Sequence, residues 1–122
     1  MAGVELAKRV LICDDERHIV RLIQANLERQ GYEVFVAFTE RAALDSFASS
    51  KPDMVILDSV MPGFDGFEVL KAIRSDPENE LVLVMMFVEA GNEEAFARAF
   101  REGANRCVAK TNRMGDFFGL FK

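Results

Sequence analysis

The sequence predicts a single α/β domain in which a doubly wound parallel sheet of five strands carries helices on both faces. Short apolar runs alternate along the chain with stretches that have helical periodicity. No internal repeat, linker or low-complexity segment interrupts this alternation. The chain has 122 residues, 50% of them apolar, which is enough for one compact core. We therefore expect one domain over residues 1–122, which is either complete or part of a longer protein.

The first half of the chain predicts two strand and helix pairs. Residues 9–13 form a nearly continuous apolar run, typical of a strand covered on both faces. One stripe of an amphipathic helix follows, at Ile19, Leu22, Ile23 and Leu27. Gly31 then stands where a left-handed helix cap is most common. Residues 33–37 predict a second strand and residues 40–48 a second helix.

The middle of the chain predicts a third strand and a third helix. Residues 54–57 form an apolar run that ends abruptly at Asp58. Pro62 and Gly63 mark a loop, after which Asp65 is placed to cap a helix. The apolar residues of that helix are Val69, Leu70 and Ile73.

The last third predicts two more strands. Residues 81–88 read as a fourth strand, and residues 93–102 as a helix stopped at Gly103. Residues 106–109 form a short fifth strand. A last short helix is predicted from Phe117, Leu120 and Phe121, weakened by two glycines.

Composition excludes several classes of function. With 15 basic and 20 acidic residues, the net charge of −5 argues against direct nucleic-acid binding. The longest apolar run, residues 81–88, is far shorter than the roughly 20 residues that span a bilayer. Residues 1–8 carry no secretory signal, so we expect a cytoplasmic protein in which Cys13 and Cys107 are reduced core thiols. His18 is the only histidine, which disfavours histidine-based metal sites.

Charged residues follow three of the predicted strands. The first strand is followed by Asp14, Asp15 and Glu16, the third by Asp58 and the fifth by Lys110. In a doubly wound sheet these ends meet at one edge. An oxygen-rich cluster of this kind suits Mg²⁺, and a carboxylate beside the metal and a lysine is able to attack a phosphoryl group.

Each of these residues also has a simpler interpretation. The three acids after the first strand are suited to capping the first helix, whose amino end favours negative charge. Asp58 by itself is an ordinary turn former, and Lys110 an ordinary surface charge. Because all of these residues are predicted at one edge of the sheet, a functional site is favoured.

Together these segments resemble the receiver domain of two-component response regulators. The matching segments are residues 10–16, 52–58, 61–66, 102–105 and 109–110. The resemblance covers nearly the whole chain and implies a flavodoxin-like sheet of order 2-1-3-4-5. It also implies a signalling domain rather than a conventional enzyme, with at most self-phosphorylation and slow autodephosphorylation.

The resemblance also implies roles for individual residues. Asp58 would accept a phosphoryl group from a sensor histidine kinase or a histidine phosphotransfer protein. Mg²⁺ would be held by Asp15, Asp58 and the backbone carbonyl of Val60, with Asp14 holding a metal-bound water. Lys110 would contact the phosphoryl group, and an output domain or a downstream protein partner would receive the signal.

The chain departs from the family at three positions. Val88 stands at the end of the fourth strand, where the family has a threonine or serine whose hydroxyl contacts the phosphoryl oxygen. Cys107 occupies the place of the aromatic residue that this hydroxyl draws inward. Thr111 replaces the proline that usually follows the lysine. The usual switching pair is therefore missing.

These departures leave a second function open. A degenerate receiver would act as a phosphorylation-independent protein-interaction module and would keep the acidic pocket without using it. A third hypothesis is a phosphatase of the haloacid-dehalogenase type, which needs an aspartate two residues after the nucleophile. Val60 fills that position and cannot transfer a proton, which argues against this chemistry.

Overall fold

A computed structural model of the chain describes residues 8–61 and 64–110. Helices and strands alternate along most of this length, as the apolar pattern predicts. The strands are β1 Arg9–Cys13, β2 Glu33–Ala37, β3 Met54–Asp58, β4 Val60–Met61, β5 Phe64–Asp65, β6 Leu83–Glu89 and β7 Arg106–Lys110. The helices are α1 Arg17–Arg29, α2 Glu40–Ser50, α3 Gly66–Arg74 and α4 Glu93–Arg101, with a short 3₁₀ helix at Pro77–Asn79.

Five of the strands form one parallel sheet in the order β2-β1-β3-β6-β7. Strands β4 and β5 form a separate two-stranded antiparallel ribbon between β3 and α3. Counted within the main sheet alone, the order is 2-1-3-4-5, so the predicted flavodoxin-like topology is confirmed.

The two faces of the sheet carry separate apolar clusters. On one face, alternate residues of the central strands pack against α1, and this cluster includes Val10, Ile12, Ile56, Val20, Ile23 and Leu27. The opposite face packs against α2, α3 and α4. This second cluster, named the α2–α4 cluster, includes Leu11, Val55, Met86, Ala43, Leu70 and Ala99. Because both faces are covered, the strands are apolar at nearly every position.

The structure corrects four details of the sequence prediction. Leu22 was assigned to the buried stripe of the first helix, but it is 53% exposed and Val20 is buried instead. The fourth predicted strand begins two residues late, at Leu83, because Leu81 follows the 3₁₀ helix and is 86% exposed. Helix α2 extends two residues further, to Ser50. Cys107 is only partly buried, against the α2–α4 cluster, whereas Cys13 is buried as predicted.

Other local expectations are confirmed. Gly31 and Gly103 have positive φ angles of 97° and 109° just after α1 and α4. The Asp65 side chain caps α3 by accepting a hydrogen bond from the Phe67 N–H. His18 is exposed. The predictions for Pro62, Gly63, Thr111 and the last helix (Phe117, Leu120 and Phe121) lie outside the described residues.

None of the helices within the described ranges is long and apolar enough to cross a membrane.

Arg74 at the end of α3 ties together three segments at the amino ends of the strands. Its guanidinium donates hydrogen bonds to the carbonyl oxygens of Gly103, Asn79 and Val82 at 2.9, 2.7 and 2.7 Å. A further bond, of 2.8 Å, reaches the side-chain oxygen of Asn105. Burial lowers the pKa of Arg74, yet the guanidinium meets enough acceptors to offset its loss of water.

We expect Arg74→Ala to lower the free energy of unfolding by about 2–3 kcal/mol, because three carbonyl groups lose a charged donor. Urea denaturation measures the change. Arg101→Ala is the control, since Arg101 forms an exposed ion pair with Glu94 and its loss is expected to cost less than about 1 kcal/mol. Equal costs for the two variants would contradict the structural role of Arg74.

Candidate functional site

The carboxyl ends of three strands bring the predicted site residues together. Asp14 directly follows β1, Asp58 is the last residue of β3, and Lys110 is the last residue of β7. The backbone N–H of Asp14 donates to the carbonyl of Ala37 at 3.3 Å, which continues the pairing of β1 with β2. The parallel register therefore places all three side chains at one edge of the sheet.

The Lys110 ammonium group is the centre of this cluster. Its Nζ lies 2.5 Å from Oδ2 of Asp58, 2.7 Å from Oε1 of Glu16 and 3.3 Å from Oδ1 of Asp14. The Asp58 and Asp14 side chains are almost completely buried, whereas 22% of the Lys110 side chain is exposed. One cation is thus shared by three carboxylates in a largely dehydrated pocket.

The pKa values of Lys110 and Asp14 are both raised, for different physical reasons. Burial alone would lower the pKa of Lys110, but hydrogen bonds to Asp58 and Glu16 outweigh it, so the pKa is raised and the ammonium stays charged. Burial raises the pKa of Asp14 to about 6, and repulsion from Asp58 adds to this. The Glu16 N–H and Lys110 only partly counter the rise. The pocket therefore holds more negative charge than the lysine neutralises.

The donor set of this pocket fits a hard divalent cation. Oδ2 of Asp14 is buried and has no hydrogen-bond partner among the described residues. One carboxylate oxygen from each of Asp14, Asp15 and Glu16 lies within 4.8 Å of the others. Carboxylate oxygens, some buried and some exposed to solvent, suit Mg²⁺, which keeps several of its waters when it binds proteins.

Helix α3 approaches the Asp58 backbone closely at Gly66. A Cβ atom at this position would collide with the carbonyl oxygen of Asp58. Instead, the Gly66 N–H donates a 3.0 Å hydrogen bond to the carbonyl of Ser59, and the Ser59 N–H donates a 2.9 Å bond to the carbonyl of Phe87. The backbone around Asp58 is therefore held between α3 and β6.

The sequence matches the response regulator receiver domain family over residues 10–120. The chain belongs to this family. It is 40% identical over 87 residues to the alkaline phosphatase synthesis transcriptional regulatory protein PhoP of Bacillus subtilis. That alignment covers 71% of this chain but only 35% of PhoP, so the chain spans about a third of that relative's length.

Solved structures give the same result for the fold of this receiver domain. The chemotaxis response regulator CheY4 of Vibrio cholerae superposes with a TM-score of 0.85 at 26% identity, covering 95% of this chain and 97% of that one. The phosphorylated cyanobacterial phytochrome response regulator RcpA gives a TM-score of 0.83 at 25% identity, covering 94% and 89%.

Val88 and Cys107, the two predicted departures from the family's switching pair, lie on neighbouring strands. Val88 is fully buried near the end of β6, and its register partner on β7 is Ala109. Cys107 lies two residues before Ala109 on β7 and packs against the α2–α4 cluster. The register thus brings Val88 and Cys107 to the same side of the sheet.

The structure gives Glu16 a contact that the sequence interpretation did not assign. Glu16 is the N-cap residue of α1, but its side chain makes no capping hydrogen bond, and its N–H donates instead to Oδ1 of Asp14 at 3.0 Å. The Glu16 side chain therefore does not cap α1. The sequence shows Glu16 as the third acid of the run, but only the fold shows that it lies close to Lys110. Val60 lies in β4, and its predicted role in metal binding stays a prediction.

We expect Asp14→Asn to raise the free energy of unfolding by about 1–2 kcal/mol in EDTA at neutral pH. The substitution removes a buried charge that lacks a full set of partners, while it keeps the volume and the Oδ1 acceptor. Added Mg²⁺ is expected to stabilise the wild type more than the variant.

Thermal and urea denaturation with EDTA or Mg²⁺ measure both effects. Asp45→Asn on the exposed side of α2 is the control, with little change in either buffer. A loss of stability for Asp14→Asn in EDTA would show that the carboxylate is well compensated without a divalent ion.

Proposed function

We propose that this receiver domain takes a phosphoryl group from a phosphohistidine donor onto Asp58, with Mg²⁺ as cofactor. The observation that carries the proposal is the Lys110 ammonium group in contact with a buried Asp58 at the carboxyl edge of the sheet. The donor is a sensor histidine kinase or a histidine phosphotransfer protein. The phosphorylated state described for RcpA supports this chemistry for a relative of the same fold.

The transfer is a single displacement at phosphorus. A carboxylate oxygen of Asp58 attacks, a new P–O bond forms and the P–N bond to the donor histidine breaks. The electron pair of that bond returns to the ring nitrogen, and the imidazole leaves as a neutral group when its other nitrogen carries a proton. Lys110 donates a hydrogen bond to the transferred phosphoryl group and offsets its negative charge.

The acids around Asp58 have a separate role in this proposal. Asp14, Asp15, Asp58 and the Val60 carbonyl would hold Mg²⁺, which neutralises phosphoryl charge when it is bound. Asp14 also accepts hydrogen bonds from the Glu16 N–H and from Lys110, which keeps its carboxylate directed into the pocket. The unpartnered Oδ2 of Asp14 supports the assignment of a cation or its water to this position.

The signal leaves the domain through an output domain or a separate protein partner. PhoP is described as a transcriptional regulatory protein, but this chain covers only a third of its length. The proposed function is therefore phosphoryl transfer to this domain.

We expect Mg²⁺-dependent labelling by a small phosphodonor such as acetyl phosphate, and no labelling of Asp58→Asn. The amide cannot form the acyl phosphate, although it preserves the size of the side chain. Intact-protein mass spectrometry and the loss of the label in hydroxylamine measure the product. Asp45→Asn on α2 is the control and keeps the label. Persistent labelling of Asp58→Asn would show that another residue is the acceptor.

We expect Val88→Thr to raise the affinity for beryllofluoride with Mg²⁺ about tenfold, because the new hydroxyl can donate a hydrogen bond to a charged acceptor. Titration followed by amide chemical shifts measures the affinity and the response of α4 and β7.

Val84→Thr is the matched control for this substitution. It places a hydroxyl on the same strand at another buried position, four residues further from the pocket. It is expected to cost similar stability without changing beryllofluoride affinity. A wild-type protein that ignores beryllofluoride altogether would favour the phosphorylation-independent interaction module.

A further inference from the structure

Glu16 forms a close ion pair with the Lys110 ammonium group. An ammonium group has three donors and no acceptor, and three carboxylate oxygens surround this one. The contact with Glu16, at 2.7 Å, is shorter than the 3.3 Å contact with Asp14. Lys110 thus donates hydrogen bonds to Asp58 and Asp14, and Glu16 adds a close ion pair on the same ammonium group.

The fold holds Glu16 in place for this contact. Its backbone N–H is bound to Oδ1 of Asp14, the same oxygen that lies 3.3 Å from Lys110. Its carbonyl accepts the 3.0 Å bond from the Val20 N–H in the first turn of α1. With 41% of its side chain exposed, Glu16 lies at the rim of the pocket and loses less hydration than Asp14.

We propose that Glu16 is the positioning residue for Lys110 in phosphoryl transfer, an inference that rests on the proposed function. The group that Lys110 contacts on Asp58 changes from a carboxylate oxygen to a phosphoryl oxygen during the reaction. Glu16 and Asp14 are not consumed, so the ion pair with Glu16 and the hydrogen bond to Asp14 hold the ammonium group before and after transfer. The ammonium group is thereby kept beside the reacting group, without the support of a hydroxyl at residue 88.

A direct role in metal binding is the competing assignment for Glu16. One of its carboxylate oxygens lies within 4.8 Å of ligand atoms of Asp14 and Asp15. The two roles differ in what the loss of Glu16 changes. A positioning residue alters the Lys110 ammonium and the transfer rate, whereas a metal ligand alters the affinity for Mg²⁺.

The test compares Glu16→Ala and Glu16→Gln with the wild type. We expect Glu16→Ala to slow labelling by acetyl phosphate about three- to tenfold at saturating Mg²⁺, which is the effect of one partly exposed charged contact. Glu16→Gln keeps an acceptor oxygen and is expected to recover part of this loss. Glu89→Gln is the matched control, because Glu89 is exposed, stands opposite Lys110 in register and forms no ion pair within residues 8–61 and 64–110.

The ammonium signal of Lys110 in ¹H–¹⁵N spectra distinguishes positioning from a purely structural effect. A held ammonium exchanges its protons slowly, so we expect this signal to broaden in Glu16→Ala and to persist in Glu89→Gln. Urea denaturation and Mg²⁺ titration are carried out on the same samples. The equilibrium constant for unfolding and the dissociation constant for Mg²⁺ are each expected to change less than threefold.

Each other result overturns the inference. An unchanged or faster labelling rate in Glu16→Ala shows that Glu16 does not position the lysine for transfer. A tenfold loss of Mg²⁺ affinity with an unchanged Lys110 signal assigns Glu16 to the metal instead. If the wild type itself takes no label, the proposed function fails. If the wild type is labelled at Asp58 and Glu16→Ala matches it, only the role of Glu16 fails.

Discussion

The site depends on the sharing of one ammonium group among three carboxylates at the edge of a parallel sheet. Burial removes water from the Asp14 carboxylate and raises its pKa to about 6, and repulsion from Asp58 adds to this. Lys110 reaches Asp14, Glu16 and Asp58 only because β7 lies beyond β6 in the same parallel sheet as β1 and β3. The remaining negative charge makes the pocket receptive to a divalent cation.

The backbone around this cluster is held from two sides. At the carboxyl edge, Gly66 lets α3 approach the Asp58 carbonyl, and Ser59 is bonded to both α3 and β6. At the amino edge, Arg74 joins the end of α3 to the segments that precede β6 and β7. Val88 and Cys107, which lie on the same side of the sheet, stand at the two positions where the resemblance implies a switching pair. The Asp58 backbone is therefore held from both edges, whereas the side chain at residue 88 carries no hydroxyl group.

The strands were predictable to within about two residues, because a run that is buried on both faces is apolar at nearly every position. The prediction for the first helix was wrong at Leu22. A helical stripe drawn through leucine and isoleucine residues is ambiguous by one position, and only packing against the sheet shows that Val20 is buried instead. The start of the fourth strand was wrong for a similar reason. The apolar run begins at Leu81, but pairing with β3 begins only at Leu83.

The sequence alone determined the fold class, the strand order implied by the family resemblance, and the meeting of Asp14, Asp58 and Lys110 at one edge. These follow from periodicity and from residue types at the ends of strands, which are local properties. Only the tertiary structure decided that Glu16 and not Asp15 pairs with Lys110, that one oxygen of Asp14 lacks a partner, and that Gly66 lies against the Asp58 carbonyl. Such contacts depend on differences of an ångström in register and helix placement, which no pattern of residue types encodes.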